Sequence, residues 1–148
     1  MDAFNLDESL GYIVRKTSLS FQNWFKRTAK SKGLDITPEQ WGALCRLWEE
    51  EGQSQRELND KLPQGITNTS RILDGLEKRQ LVIRKTDPND RRVFRIYLTK
   101  KGREIKERLI PIGKEGIEIA TKGCSEREIK IVKKILNQIC EKLNHSNK

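Results

Sequence analysis

Histidine is almost missing from this chain: the one present, His145, lies close to the C-terminal end. The three cysteines, Cys45, Cys124 and Cys140, form no C-x-x-C pair. A nitrogen- and sulfur-rich metal centre therefore has few ligands to draw on. The same shortage removes histidine-assisted catalysis, and no glycine-rich phosphate loop or nucleophile motif takes its place. An odd cysteine count argues against a disulfide framework. No apolar run approaches the roughly 20 residues that cross a bilayer. The start, MDAFNLDESL, is acidic where a secretory signal is basic. These absences lead to the expectation of a cytoplasmic protein that is no enzyme and holds neither metal nor cofactor.

Apolar residues are also scarce, at 34% of 148 positions, while charged residues reach 34% against roughly 25% in an average globular chain. The core must be modest, and burial at a subunit interface is one way to complete it. The net charge of +9 asks for a polyanion. Its location says which kind. From Lys78 to Arg108, twelve basic side chains face four acidic ones, a local +8. Membrane-surface binding wants a lysine-rich amphipathic helix. Here the charge lies largely on a strand–turn–strand pattern beside two short helices, which favours nucleic acid over membrane.

Taken in order, Leu10, Ile13, Val14, Phe21, Trp24 and Phe25 recur at helical steps and predict a helix from about Asp7 to Lys32, stopped at Gly33. Thr37-Pro38-Glu39-Gln40 is a capping box with proline at the first helical position. It opens a second helix that carries Trp41, Leu44, Leu47 and Trp48 inward and ends near Gly52. Ser54-Gln55-Arg56-Glu57 is a further capping box, starting a short third helix, and Pro63 and Gly65 force a turn after it. The fourth helix spans about Ile66 to Arg79. Its apolar face is Ile66, Thr69, Leu73 and Leu76 with Ile72 alongside; Thr67, Asn68 and Arg71 lie opposite, with Ser70 on the flank.

Leu81 to Thr86 and Val93 to Leu98 read as strands around Asp87-Pro88-Asn89-Asp90, whose residues favour a tight turn, and in the second Phe94, Ile96 and Leu98 alternate with Val93, Arg95 and Tyr97. Thr99 caps a fifth helix running to about Lys122, with Pro111 expected to kink or split it. Ser125-Glu126-Arg127-Glu128 is the last capping box. After it Ile129, Val132, Leu136, Ile139 and Leu143 step by three and four, the seam of a helix packed along another helix.

A helix pair of this kind places one helix in the major groove, and a basic hairpin beside it reaches the backbone or minor groove. Arg71, with Thr67, Asn68 and Ser70 around it, is the leading candidate for base contact, since arginine binds guanine bidentately. Arg91 and Arg92 sit where a narrow minor groove attracts arginine, and a salt bridge from either to Asp74, Asp87 or Asp90 is the alternative. Lys85, Arg95, Lys100 and Lys101 suit phosphate contacts or plain solubilising charge equally well.

The segment SRILDGLEKRQLVIRKTDPNDRRVFRIYLTKKG resembles the MarR family of winged helix-turn-helix transcription regulators: recognition helix, strand, Asp-Pro-x-Asp-x-Arg wing, strand and L-T-x-x-G. The likeness runs over nearly the whole chain. It implies a mainly α fold with a small β-wing, a single domain over residues 6–144. The DNA-binding lobe would occupy about 37–99, and dimerisation helices about 7–32 and 100–144 (helices one, five and six) would form a platform. It further implies a homodimer on a pseudopalindromic operator, Arg71 as the recognition-helix arginine, and Asp90 with Arg92 as the wing pair. Ile129, Val132, Leu136, Ile139 and Leu143 then belong to the dimer seam. Gln80 departs from the family's glycine before the first wing strand.

The expected function is a repressor released by a small-molecule or oxidant signal. The alternatives are an architectural DNA-binding protein without sequence preference and a winged-helix protein-interaction module. The family often binds aromatic anions, and Trp24, Phe25, Trp41 and Trp48 are the candidate lining, with plain core packing as the ordinary reading. Some members sense oxidants through cysteine. Cys140 lies beside the seam, although a free cysteine is ordinarily a small hydrophobe.

Overall fold

The computed structural model describes residues 3–63 and 66–146, with the side chains of residues 66 and 67 left out. After a 3₁₀ turn at Leu6–Glu8 come α1 (Leu10–Ser31), α2 (Pro38–Glu49), β1 (Gln53–Ser54), α3 (Gln55–Asp60), α4 (Ile66–Lys78), β2 (Val82–Thr86), β3 (Phe94–Leu98), α5 (Lys100–Glu104), α6 (Lys106–Ala120) and α7 (Glu126–His145). The architecture is mostly helical with one small antiparallel sheet in the order β1-β3-β2. The chain divides into two compact units, one up to Gly113 and one from Lys114.

In the first unit the helices begin and end where side chains satisfy their free backbone groups. At Thr37 the box is complete: its hydroxyl accepts from the Gln40 amide at 3.1 Å, and the Gln40 side chain accepts from the Thr37 amide at 3.1 Å. At Ser54 it is half made. The hydroxyl accepts from the Glu57 amide, but Ser54 belongs to β1, paired with Arg95, and no reciprocal bond from Glu57 exists among the described residues. The two-residue β1 is too short to show any periodicity in the sequence. The 3₁₀ turn likewise takes the residues expected to open α1, which starts at Leu10.

α4 ends by a left-handed residue that is not glycine. Gln80 adopts φ 62°, and the Leu81 amide reaches back to the Leu76 carbonyl at 3.0 Å. The helix therefore ends as a glycine would end it, at a steric cost of roughly 1–2 kcal/mol for a side chain in this region. Gln80→Gly should raise unfolding stability by roughly 0.5–1 kcal/mol, the strain relieved less the entropy that glycine adds to the unfolded chain. Urea titration of the two proteins measures it.

The break expected at Pro111 in the fifth helix falls instead at Ile105, and α6 continues through the proline. The Gly102 carbonyl, which a continuous helix would offer to the Lys106 amide, accepts the Trp48 indole N–H at 2.9 Å instead.

The core of this unit joins Phe25 and Ala29 of α1, Ala43, Leu44 and Leu47 of α2, Leu58 of α3, Ile72, Leu73 and Leu76 of α4, and Leu81, Val82, Ile96 and Leu98 of the hairpin. Leu34 and Ile36, between α1 and α2, and Leu109 and Ile112 of α6 complete it. The alternation of the second strand holds at Ile96 and Leu98, whereas Phe94 is exposed near the hairpin's outer end. The apolar stripe of α1 enters the core only at its C-terminal half: Leu10, Ile13, Val14 and Phe21 are all exposed.

The second unit is the end of α6, a turn at Gly123 (φ 88°) and α7, opened by a complete capping box at Ser125 and Glu128. None of its described residues is buried. Val132 and Leu143 are 50% and 64% exposed, and Ile131 and Ile135 lie open beside them.

Candidate nucleic-acid interface

α4 presents its two faces as its sequence dictates. Ile72, Leu73 and Leu76 are buried, and Thr69 is buried with them, its hydroxyl donating to the side-chain Oδ1 of Asn59 at 2.6 Å. Asn68 and Arg71 stand exposed on the opposite side, with Ser70 half-buried between. The side chain of Thr67 lies outside the described residues.

Arg71 has no ion-pair or hydrogen-bond partner among the described residues, although Asp74 and Glu77 lie further along the same helix. Those carboxylates face another cation. Arg84 of β2 places its Nη2 at 2.5 Å from Asp74 and 3.1 Å from the Ser70 carbonyl, and its Nε at 3.7 Å from Glu77. Arg84 thus cancels the acidic flank of α4 and ties it to the hairpin. In the sequence it reads only as charge. The Asp74–Glu77 spacing along one helix flank is the signal that a cation would be drawn there.

The hairpin tip is built by Asp87, which is buried. Its carboxylate accepts from the amides of Asn89 (2.7 Å) and Asp90 (3.2 Å) and from Arg95 Nε (2.5 Å). The Arg95 bond, then the Asn89 amide, holds its pKa below the ordinary 3.8. Arg95 Nη1 also donates to the Gly52 carbonyl at 2.8 Å, joining the tip to the end of α2. Arg95, a phosphate contact or solubilising charge by sequence, is therefore engaged inside the lobe.

Asp90 accepts from the Arg92 amide and from Arg92 Nε at 3.1 Å, and its pKa is lowered mainly by that side chain. Arg92 stays 91% exposed in this pair. Arg91 has no partner among the described residues. The two tip arginines thus divide as one paired and one free.

Lys85 lies over the Tyr97 ring at 5.2 Å, Lys100 sits 3.8 Å from Glu104, and Lys101 donates to the Arg79 carbonyl at 3.3 Å. Glu51, unremarkable in the sequence, accepts from the Leu98 amide and chelates Arg103, whose side chain keeps the carboxyl below its ordinary range.

The four aromatic candidates for a ligand site are partly drawn together. Phe25 and Trp41 stand 5.0 Å apart, and Trp41 and Trp48 meet edge-on at 5.8 Å. Trp24, Trp41 and Trp48 are half-buried against the core and Phe25 is within it. They pack as core. Cys45 is half-buried, and desolvation, with Glu49 nearby, pushes its thiol up to about 11, away from the thiolate that reacts with oxidants. Cys124 and Cys140 are exposed. Among the described residues no three His, Cys, Asp or Glu side chains cluster to hold a metal, and no helix is long and apolar enough to cross a membrane.

The arrangement is a helix with a free arginine, an adjacent arginine-tipped hairpin and a small core behind both. It matches proteins of known kind. The model of the MarR family fits residues 36–94, the stretch from the start of α2 to β3. An HTH-type transcriptional regulator of Bacillus subtilis, YsmB, itself uncharacterised, is 34% identical over 116 residues, covering 74% of this chain and 80% of its own.

Among solved structures, the S. aureus MepR–DNA complex superposes with a TM-score of 0.80 at 25% identity, over 93% of this chain and 98% of that one. The transcriptional repressor CouR, bound to a 23-mer DNA duplex, superposes at 0.79 with 27% identity, over 95% and 98% of the two chains. The chain belongs to the MarR family of winged-helix transcriptional regulators.

Proposed function

We propose that the protein is a homodimeric, sequence-specific DNA-binding regulator, a cytoplasmic repressor released by a small-molecule or oxidant signal. Each subunit inserts α4 into the major groove and lays the hairpin against the neighbouring backbone and minor groove, so that paired half-sites lie about one helical turn apart. The lobe of about 37–99 reads DNA, while helices within 7–32 and 100–144 pair the two copies. The observation that carries this reading is the free Arg71 on an exposed helix face whose acidic neighbours are neutralised by Arg84. The repressor sense is supported by CouR, a repressor with DNA bound. The aromatic packing around Trp41 leaves an effector to bind beside those rings rather than among them, and the protonated Cys45 leaves oxidant sensing to the exposed Cys124 and Cys140.

Arg71→Ala should cost about 1–3 kcal/mol on the preferred duplex and little on random DNA, because a bidentate arginine–guanine contact discriminates by that amount. Competition binding at two salt concentrations measures both. Equal losses on the two duplexes would rule out base reading and favour an architectural protein, which binds through phosphates alone.

A further inference from the structure

Beside the free Arg71 and Arg91, the lobe carries a third arginine without a partner among the described residues, Arg56 on α3. The other arginines from Arg46 to Arg95 are all engaged: Arg46 with Glu49, Arg79 with Asp35, Arg84 with Asp74, Arg92 with Asp90 and Arg95 with Asp87. Arg56 stands at the edge of a groove of about 810 Å³. One wall is α3 and the start of α4, and the other is the outer end of the hairpin at Arg92, Val93 and Phe94. Phe94 is 47% exposed there, in a strand that otherwise turns its apolar residues inward. Also in the lining, Asn59 accepts from Thr69 through its side-chain Oδ1, which leaves its Nδ2 to donate, and Arg84 is a third cation beside Arg56 and Arg92. Asp60 is the only carboxylate among these lining residues.

When α4 fills the major groove and the hairpin tip reaches the adjacent minor groove, one sugar–phosphate strand must pass between them. We propose that this groove is its seat: Arg56 binds one phosphate of that strand and the exposed Phe94 faces its deoxyribose. The assignment rests on the DNA-binding reading above and adds to it a phosphate site on α3, outside both the α4 face and the wing.

Arg56→Ala in the full-length protein tests the seat. Binding should weaken by the same factor on the preferred and random duplexes. The slope of log K against log salt should fall by about 0.9 for each chain bound, the value for one phosphate neutralised on duplex DNA. In ethylation interference, the wild-type protein should be blocked by modification of one phosphate per half-site, between the major-groove and hairpin contacts, and the variant should lose that sensitivity. An unchanged slope with the ethylation pattern intact would overturn the proposal. So would a loss confined to the preferred duplex, since Arg56 would then be reading a base. If the wild-type protein bound no duplex, the DNA-binding reading itself would fail, an outcome distinct from either.

Discussion

Leu136→Lys combined with Ile139→Lys should give monomers in sedimentation velocity. α7 is a 20-residue amphipathic helix with none of its described residues buried. Helices in proteins draw most of their stability from packing an apolar face rather than from intrinsic propensity. The stripe from Ile129 to Leu143 therefore calls for a covering surface, and in the proposed homodimer a second copy would supply one with the same seam. In a two-fold interface each substitution counts twice. Even at about 1 kcal/mol each, the low end for an uncharged buried polar group, four lysines remove roughly 4 kcal/mol, about a thousandfold in the dimer dissociation constant. The core around Leu44 and Leu73 uses neither residue, so the tryptophan signals of the lobe should stay native. An intact dimer would place the interface elsewhere, and the open stripe of α1 at Leu10, Ile13 and Val14 would be the next surface to vary.

Gly102→Ala should cost about 3 kcal/mol of unfolding free energy, read from chemical denaturation. The reason is a close approach rather than flexibility. A Cβ on Gly102 would press into the Leu81 carbonyl oxygen, well inside van der Waals contact, and stand 3.2 Å from the Leu98 side chain. That carbonyl already accepts from the Thr99 amide at 3.0 Å, so it is fixed backbone that cannot yield as a flexible side chain would. Overpacking a core costs typically 1–3 kcal/mol, and a clash with backbone belongs at the upper end. Because Gly102 also offers its carbonyl to Trp48, the variant should shift the tryptophan emission. A change below about 0.5 kcal/mol, inside the range of ordinary surface substitutions, would show that α5 slides away without loss.

Features set by neighbours in sequence are legible from the residues alone. The boxes at Thr37–Gln40 and Ser125–Glu128 close within one turn. Asp87 bonds amides two and three residues ahead, and the outward face of α4 follows from its helical period. What stays hidden depends on partners far along the chain. β1 exists because Gln53 and Ser54 meet Ile96 and Arg95. Arg84 and Arg95 are anonymous positive charge until the fold brings Asp74 and Asp87 to them. The helix break moves from Pro111 to Ile105 because an indole 54 residues away takes the Gly102 carbonyl. Phe94 fits the inward alternation of its strand, yet it lies where the hairpin runs past the core. Gln80 in place of the family's glycine changes little, since the chain accepts the strained conformation and keeps the helix end.

The most direct test is to select preferred duplexes from a random pool and measure the mass of the complex on the winning sequence by sedimentation. Two chains on one duplex, with an inverted repeat whose half-sites lie about 10 base pairs apart, is the result expected of paired α4 helices on one face of the DNA. A single chain per duplex, or a pool that yields no shared sequence, would contradict it.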